Sequence, residues 1–550
     1  MIVKMEHLDL VALAHEREAA LSALRELGVV HLDLSGASGK EVLDAKGVAA
    51  DAAKAVRAIE KARAGLENAT SSQELRRCTV QEVLALESRK DSLSSNIDEL
   101  EKEIRKYEPY GDFDPVLAGK LLAELGDDLR KVADLPERLP AESLGAMRTR
   151  LVKLRSELED VLNSLAGCDD KALAAGFGAL EDAIRFSAAK ETMVAQGEVA
   201  FISGWVPEKC VGALRKAAAG NGWAVLVRDR LPGEIPPTLI EPPKLFRPVK
   251  ALFDGLGIAP AYDEADVSVP FMCYFSLFFA MLVGDGAYGL IFLFVTLAMK
   301  KKLPKSWFVL LTVFSLATVG WGLLSNTWFG AAIPACADWP TVKWLGDATY
   351  KNMMLLCFTI GASHLTLARL WNAACKAPDS TALAELGWAG VIVMMYLVTN
   401  SIVGIFPGVP KWGMAMGIVS ILLVFLFSVK PSELKTRGAE LGMLPLNIMS
   451  ALGDIISYVR LFAVGLASVK VAENFNQMAT GLDLPLWLKV VPMVAILIVG
   501  HALNLAMAGL SILVHAVRLN TLEFSNHKGV SWSGYGFRPF RKASAGAWEG

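Results

Sequence analysis

From Pro270 to about Phe524 the chain runs through a succession of long apolar stretches separated by short polar connectors. A helix crossing a hydrocarbon core of about 30 Å needs roughly 20 mostly apolar residues. No water reaches that core to satisfy open backbone, so such stretches read as membrane-crossing helices. Eight are expected, at about Pro270–Val283, Gly286–Met299, Trp307–Trp328, Met353–Trp371, Leu386–Ile405, Met414–Val429, Leu446–Phe475 and Leu486–Phe524. The first two are short and meet at Gly284-Asp285-Gly286, which reads as a tight hairpin with Asp285 as a turn or packing carboxylate. Across 550 residues the chain is 53% hydrophobic and only 20% charged, too apolar for a typical soluble enzyme and too charged for a pure membrane bundle. The average therefore hides two unlike halves, dividing near residue 268.

Lys and Arg mark the sides of the membrane. Lys300, Lys301, Lys302 and Lys305 follow the second stretch, Lys376 the fourth, and Lys430, Lys435 and Arg437 the sixth. Lys528, Arg538, Arg541 and Lys542 follow the eighth, whereas the alternate connectors hold only Lys343, Lys351, Lys411 and Lys489. Basic connectors favour the cytoplasmic face, so both termini are expected there, in agreement with an even number of crossings. The opening MIVKMEHLDLVALAHE is broken by Lys4, Glu6, His7 and Asp9 and does not read as a secretory signal, so the charged half is expected in the cytoplasm. A net charge of −2 supplies no field toward nucleic acid, and none is expected as a partner. The seven cysteines are far apart with no CxxC, so neither a disulfide scaffold nor a zinc site is expected.

The charged half suggests small α/β pieces and long helices. Residues 1–35 read as strand, helix, then the apolar GVVHLDL, and 197–229 read as GEVAFISGWVP, a helix and WAVLVRD. Strand–helix–strand order would bring the last two strands together. Segments 41–69, 73–107 and 141–165 are rich in helix formers, and Leu84, Leu86, Leu93, Ile97, Leu100 and Ile104 recur mostly at helical steps. An antiparallel coiled-coil hairpin fits this pattern, and an ordinary helical bundle is its alternative. The expected organisation is an elongated cytoplasmic arm over 1–266, a helical transmembrane domain over 267–525 and a C-terminal tail over 526–550. Two small α/β lobes, near 1–40 and 195–235, would be joined in the arm by a helical coiled coil over 41–190. No P-loop, G-x-S-x-G elbow or HExxH occurs, so catalysis, a cofactor or a bound metal is not expected of this chain.

The polar residues inside the apolar runs carry the functional signal. Arg460 sits midway along NIMSALGDIISYVRLFAVGLASVKVAENF, where a permanently charged guanidinium costs a few kcal/mol unless it meets water or a carboxylate. Asp454 and Glu473 lie six and thirteen residues away, neither spacing being the three or four that makes helix neighbours. A functional arginine is favoured over one buried in an intramolecular ion pair. On the last stretch Arg518, His515, Ser511, Ala508, Asn504 and His501 fall within roughly a 100° sector at 100° per residue, a stripe about 26 Å long. Ser457 gives a weaker counterpart on the preceding stretch. Such a stripe suits the lining of an aqueous half-channel. Its alternative is close helix packing, with His501 and His515 as interhelical hydrogen bonders.

These segments resemble subunit I of bacterial and archaeal V/A-type rotary ATPases, the counterpart of subunit a in vacuolar proton pumps. The likeness rests on VKMEHLDLVALAHEREAALSALRELGVVHLD, on GWVP at Gly204–Pro207 and on PPTLIEPPKLFRPVKALFDGLGIAPAYDEAD at Pro236–Asp266. It continues through FSLFFAMLVGDGAYGL at Phe275–Leu290, WGLLSNTWFG at Trp321–Gly330, SYVRLFAVGLA at Ser457–Ala467 and HAVRLNTLEF at His515–Phe524. The resemblance implies a stator in the cell (inner) membrane, passing protons or sodium ions through half-channels beside a rotating proteolipid c/K ring. It further implies contact with peripheral-stalk E and G subunits, with a central-stalk C/d-type subunit and with membrane lipid. Arg460 and Arg518 match the two arginines that face the ring in the family. Where vacuolar relatives carry a glutamate on the last span, this chain has Ala508. An independent secondary transporter would call for an inverted repeat and a broken-helix ion site, neither of which is evident. A membrane-anchored coiled-coil scaffold is the other rival.

Overall fold

The computed structural model describes residues 1–34, 39–65, 76–125, 139–346, 349–429, 442–481 and 485–542. The basic connector of Lys430, Lys435 and Arg437 lies outside the described residues, as do parts of the helical segments expected over 41–69 and 73–107. The chain forms two compact units. One comprises Met5–Pro232 and the residues from Arg538 on, the other Met1–Lys4 with Gly233–Phe537.

In the first unit, strands β1 (Met5–Leu13), β2 (His31–Leu32), β3 (Val194–Gln196), β4 (Val199–Pro207) and β5 (Ala224–Arg228) form a single sheet. The order is β2-β4-β1-β5, with β3 also on β4. β1 runs antiparallel to β4 from Met5↔Pro207 to Leu13↔Val199 and antiparallel to β5 on its other edge. The expected two lobes are therefore one domain, and the strands around the second helix are separated by β1 rather than paired. Helices α1 (Arg17–Leu27) and α7 (Val211–Asn221) each cross over a gap filled by a strand from the other segment, giving the split βαβ pattern of ferredoxin-like folds. The physical reason is burial: an isolated two-stranded piece is marginal in water. Joined, the segments enclose Leu8, Leu10, Leu21, Leu24, Ile202, Val206 and Leu214 in one core.

The long helices are inserted between β2 and β4: α2 (Lys40–Gly65), α3 (Val80–Tyr107), the short α4 (Pro115–Leu125), α5 (Leu144–Ala166) and α6 (Asp170–Thr192). Thr79 and Glu82 close a reciprocal cap at the start of α3. Helices α3 and α5 form the expected antiparallel hairpin. Arg155 pairs with Glu101 at 2.7 Å and Arg148 with Glu108 at 2.9 Å, so one strand of the hairpin advances seven residues as the other retreats seven. Leu100, Ile104, Tyr107, Leu144 and Met147 fill the seam. Where α2, α3 and α5 meet, Cys78 and Cys168 are joined by a disulfide, one bridge that cysteine spacing did not reveal. Arg63 braces the same corner, donating to Ala166 O, Cys168 O and Asp170.

The second unit is a helical membrane bundle. Five of its described helices are long and apolar enough to cross a membrane: Lys305–Ser325, Lys351–Lys376, Thr381–Ile402, Leu444–Thr480 and Lys489–Lys528. Ser268–Val283 and Gly286–Ala298 form a pair bent by 118°, and Lys411–Phe427 is a shorter apolar helix. These correspond to the eight apolar stretches, but length and composition alone mark five spans, or six with the bent pair as one. The bend has a local cause. Gly284 ends the first helix with φ +70°, a left-handed conformation that glycine takes without a Cβ penalty. Asp285, buried, then accepts from Ala287 N and Gly330 N, both at 2.8 Å, so the turn-carboxylate reading holds.

Candidate functional site

Three elements build the region around Arg460: α16 (Leu444–Ser457), α17 (Val459–Thr480) and α18 (Leu486–Ser511) with its continuation. The apolar stretch containing Arg460 is not one unbroken helix. At Tyr458 the hydrogen bonding tightens, with Tyr458 N bonding Ile455 O and Leu461 N bonding Tyr458 O. Leu461 N would normally bond Ser457 O. The freed carbonyl instead accepts from Arg460 Nε at 3.1 Å. Tyr458 is buried, its hydroxyl 2.9 Å from His364 Nδ1. The break thus supplies a backbone acceptor that holds the base of the guanidinium.

The last helix changes pitch as well. After Ser511 it becomes π-helical over Ile512–Ala516 and again over Leu519–Phe524. A π turn stacks residues five apart instead of three or four. Arg518 and Glu523 are five apart, and Arg518 Nε lies 3.3 Å from Glu523 Oε1. The same oxygen lies 3.2 Å from Arg460 Nη2. Glu523 is 5% exposed, Arg460 25% and Arg518 53%, so one buried carboxylate bridges two partly exposed guanidiniums.

In-helix spacing offers Arg460 no carboxylate, and its partner comes instead from the next helix, so an intramolecular ion pair is present at the arginine read as functional. Asp454 Oδ2 lies instead 3.0 Å from His527 Nε2. Glu523 lies inside the HAVRLNTLEF segment, but its five-residue spacing from Arg518 does not mark the two as neighbours on an α-helix. Further ion pairs inside the bundle, Arg369 and Lys376 on Glu385, likewise escaped sequence reasoning because they join different helices or turns.

The stripe on the last helix divides in two. Toward the start of α18, Asn504 Nδ2 donates to Tyr288 Oη at 3.1 Å and to Ser468 O at 2.9 Å, while Ser468 Oγ donates to Asn504 Oδ1. Tyr288 Oη lies 2.7 Å from His501 Nδ1, and His501 Nε2 lies 3.2 Å from Asn476 Oδ1. Asn476 in turn donates to Phe329 O. One set of proton positions satisfies the whole chain, with Tyr288 donating to His501 and His501 to Asn476. His501 and Asn504 are thus interhelical hydrogen bonders. Beyond Ser511 the change of pitch turns His515 and Arg518 off the line that 100° per residue projects. His515 Nδ1 is buried and has no hydrogen-bond partner among the described residues, and the same holds for Glu523 Oε2. Lys470 Nζ donates to Glu473 Oε2, one turn away, at 2.6 Å.

A cavity of about 350 Å³ runs along α17, reaching Leu461 and Phe462 beside Arg460 and extending to Lys470, with Trp321, Asn326 and Tyr350 across from them. None of His501, Asn504, Ser511 or His515 lines it.

No family model matches the sequence. Individual relatives do. A V-type ATP synthase subunit I 1 from Treponema pallidum is 29% identical over 98% of this chain and the whole of the relative. A V-type ATP synthase subunit I from Borreliella burgdorferi is 31% identical over 63% of this chain and 60% of the relative. An A-type ATP synthase subunit I from Methanocaldococcus jannaschii is 25% identical over 74% of this chain and 64% of the relative. With several apolar helices long enough to cross a membrane, the chain is similar over nearly its whole length to proteins named subunit I of V-type and A-type ATP synthases, consistent with a multi-pass membrane protein.

Proposed function

We propose that this chain is the stator of a V/A-type ATPase or ATP synthase, forming ion half-channels against a rotating proteolipid ring. In this reading the bent pair and Lys411–Phe427 also count as crossings, giving eight, with both termini on the cytoplasmic side of the cell membrane. A bend of 118° returns the chain toward the side from which it came, as two short crossings or a re-entrant loop would. The arm would engage peripheral-stalk E and G subunits and a central-stalk C/d-type subunit. Nucleotide chemistry would belong to other subunits, as this sequence has no phosphate-cradling motif.

One observation carries the reading: two guanidiniums share a single buried carboxylate. These three side chains sum to +1. In a site of effective dielectric about 20, opposite charges 4 Å apart attract by about 4 kcal/mol. A carboxylate on a passing ring would therefore ionise opposite Arg460 and Arg518, releasing its ion to one half-channel before reloading from the other. Ser457, Ser511 and His515 would line the path nearest the arginines. His501 and Asn504, whose polar atoms are already engaged, would hold helices together. Replacing Arg460 by Ala in the assembled complex is the test. ATP-driven ion uptake into membrane vesicles should be lost while the complex still assembles. Normal uptake would leave only the scaffold reading.

A further inference from the structure

The geometry points to Glu523 as an internal stand-in for the ring carboxylate: it holds Arg460 and Arg518 between arrivals and gives up part of its hold at each arrival. This rests on the stator reading above and adds a residue to it.

A carboxylate locked in place by two arginines would normally spread its bonds over both oxygens, which together offer about four lone-pair sites. Glu523 does not. Both arginines approach Oε1, and Oε2 is buried without a partner among the described residues. Arg460 does not depend on Glu523 for its position, because Nε is anchored to Ser457 O across the Tyr458 break. Arg518 approaches Glu523 through Nε, and its terminal amino groups have no hydrogen bond among the described residues. It is also half-exposed, so a carboxylate on a neighbouring subunit can reach those donors. The arrangement holds one anion loosely and has donors in reserve for a second.

The exchange needs no covalent step and no proton from Glu523. An arriving carboxylate bonds the spare donors, and Glu523 retreats to one of its two contacts. On departure it returns, so neither arginine is left unpaired in low dielectric, where a lone buried charge is costly. Speed then depends on the summed charge. At +1 the ring carboxylate is attracted but not trapped.

The test uses the whole complex in membrane vesicles and alters that sum in both directions. E523Q leaves +2 and should trap the ring, slowing ion uptake and ATP hydrolysis together by about tenfold, equivalent to roughly 1.4 kcal/mol of barrier. R518Q leaves zero and should also slow uptake about tenfold, because Glu523 then competes too well for Arg460. The double variant restores the +1 sum but leaves Arg460 without its stand-in, so it should recover part of the rate lost in E523Q. A purely structural pair would be repaired in assembly and Tm by neutralising both partners, so the deciding readout is uptake per assembled complex. The proposal is overturned if E523Q pumps at the normal rate, or if the double variant is no faster than E523Q. It is equally overturned if neither E523Q nor the double variant assembles, since Glu523 is then a structural counterion. Should R460A stop uptake while E523Q is normal, only the stand-in falls; should R460A pump normally, the stator reading itself falls.

Discussion

The two ends of the last membrane helix carry polar residues of similar type and use them in opposite ways. Around His501 and Asn504 the hydrogen bonds run in one direction from Asn504 through Tyr288, His501 and Asn476 to a backbone carbonyl, and these linking atoms are all engaged. Around Arg518 they do not close: Glu523 Oε2 and His515 Nδ1 are buried without a partner among the described residues. The backbone differs in the same sense, α-helical at the first end and π-helical at the second. Leaving a buried polar atom unsatisfied costs about 1–3 kcal/mol, so an open network persists in a stable protein only for a reason other than stability. Polar residues in an apolar helix are thus sorted by whether their bonding is complete, not by residue type.

The sharpest way to break this comparison is to remove the centre of the closed network. Asn504→Leu keeps the branched side-chain skeleton but deletes bonds to Tyr288 and Ser468, and should cost about 2 kcal/mol, near the upper end for interhelical hydrogen bonds. The Tm of the purified complex should fall by about one to two degrees while ion uptake per assembled complex stays within about twofold. Lost uptake at an unchanged Tm would move Asn504 into the conducting path. His515→Ala is the mirror experiment at the open end and ranks next. Uptake should drop about tenfold, roughly 1.4 kcal/mol, with Tm unaltered, because no hydrogen bond at Nδ1 is lost. A lowered Tm with normal uptake would make His515 a packing residue and erase the contrast.

How much of this was legible beforehand depended on range. The apolar stretches, the hairpin of α3 and α5 and the turn carboxylate Asp285 follow from local pattern, since burial and capping leave signatures within a few residues. Arg460 and Arg518 stood out because a charge in an apolar run is costly wherever it ends up. Glu523 did not, because the π turn that brings it under Arg518 breaks the spacing rule by which neighbours are inferred. The single sheet was hidden for a related reason. β1 finds β4 and β5 roughly two hundred residues away or more, and an inserted helical hairpin separates segments that each look like complete lobes. The tyrosine break beneath Arg460 was equally silent, as SYVRLF reads as uninterrupted helix.

The smallest expected effect lies in the other unit and extends the comparison to a polar contact that is closed outside the bundle. His31 Nδ1 accepts from Arg538 N at 3.0 Å, next to Phe540 N on Val30 O at 2.7 Å, with the Phe540 ring stacked on Phe186. Burial depresses the His31 pKa below its usual 6.5; the Asp33 carboxylate and the Arg538 backbone contact work against this, and the Arg538 and Arg185 charges add to it. The folded state therefore favours the neutral ring, whose unprotonated Nδ1 the contact requires. An unfolded chain takes up a proton near pH 6.5, so this contribution is complete above that value and is lost as pH falls through the depressed folded value. Amide hydrogen exchange at Phe540, corrected for intrinsic rates, should be faster at about pH 5.5 than at about pH 7.5, by about twofold to fivefold. His31→Gln, which keeps an acceptor but cannot take up the proton, should remove that pH dependence. Equal protection at both pH values in the unaltered chain would mean that the contact does not respond to the charge on His31, and that the Arg538–Phe540 segment is held by the Phe540 ring alone.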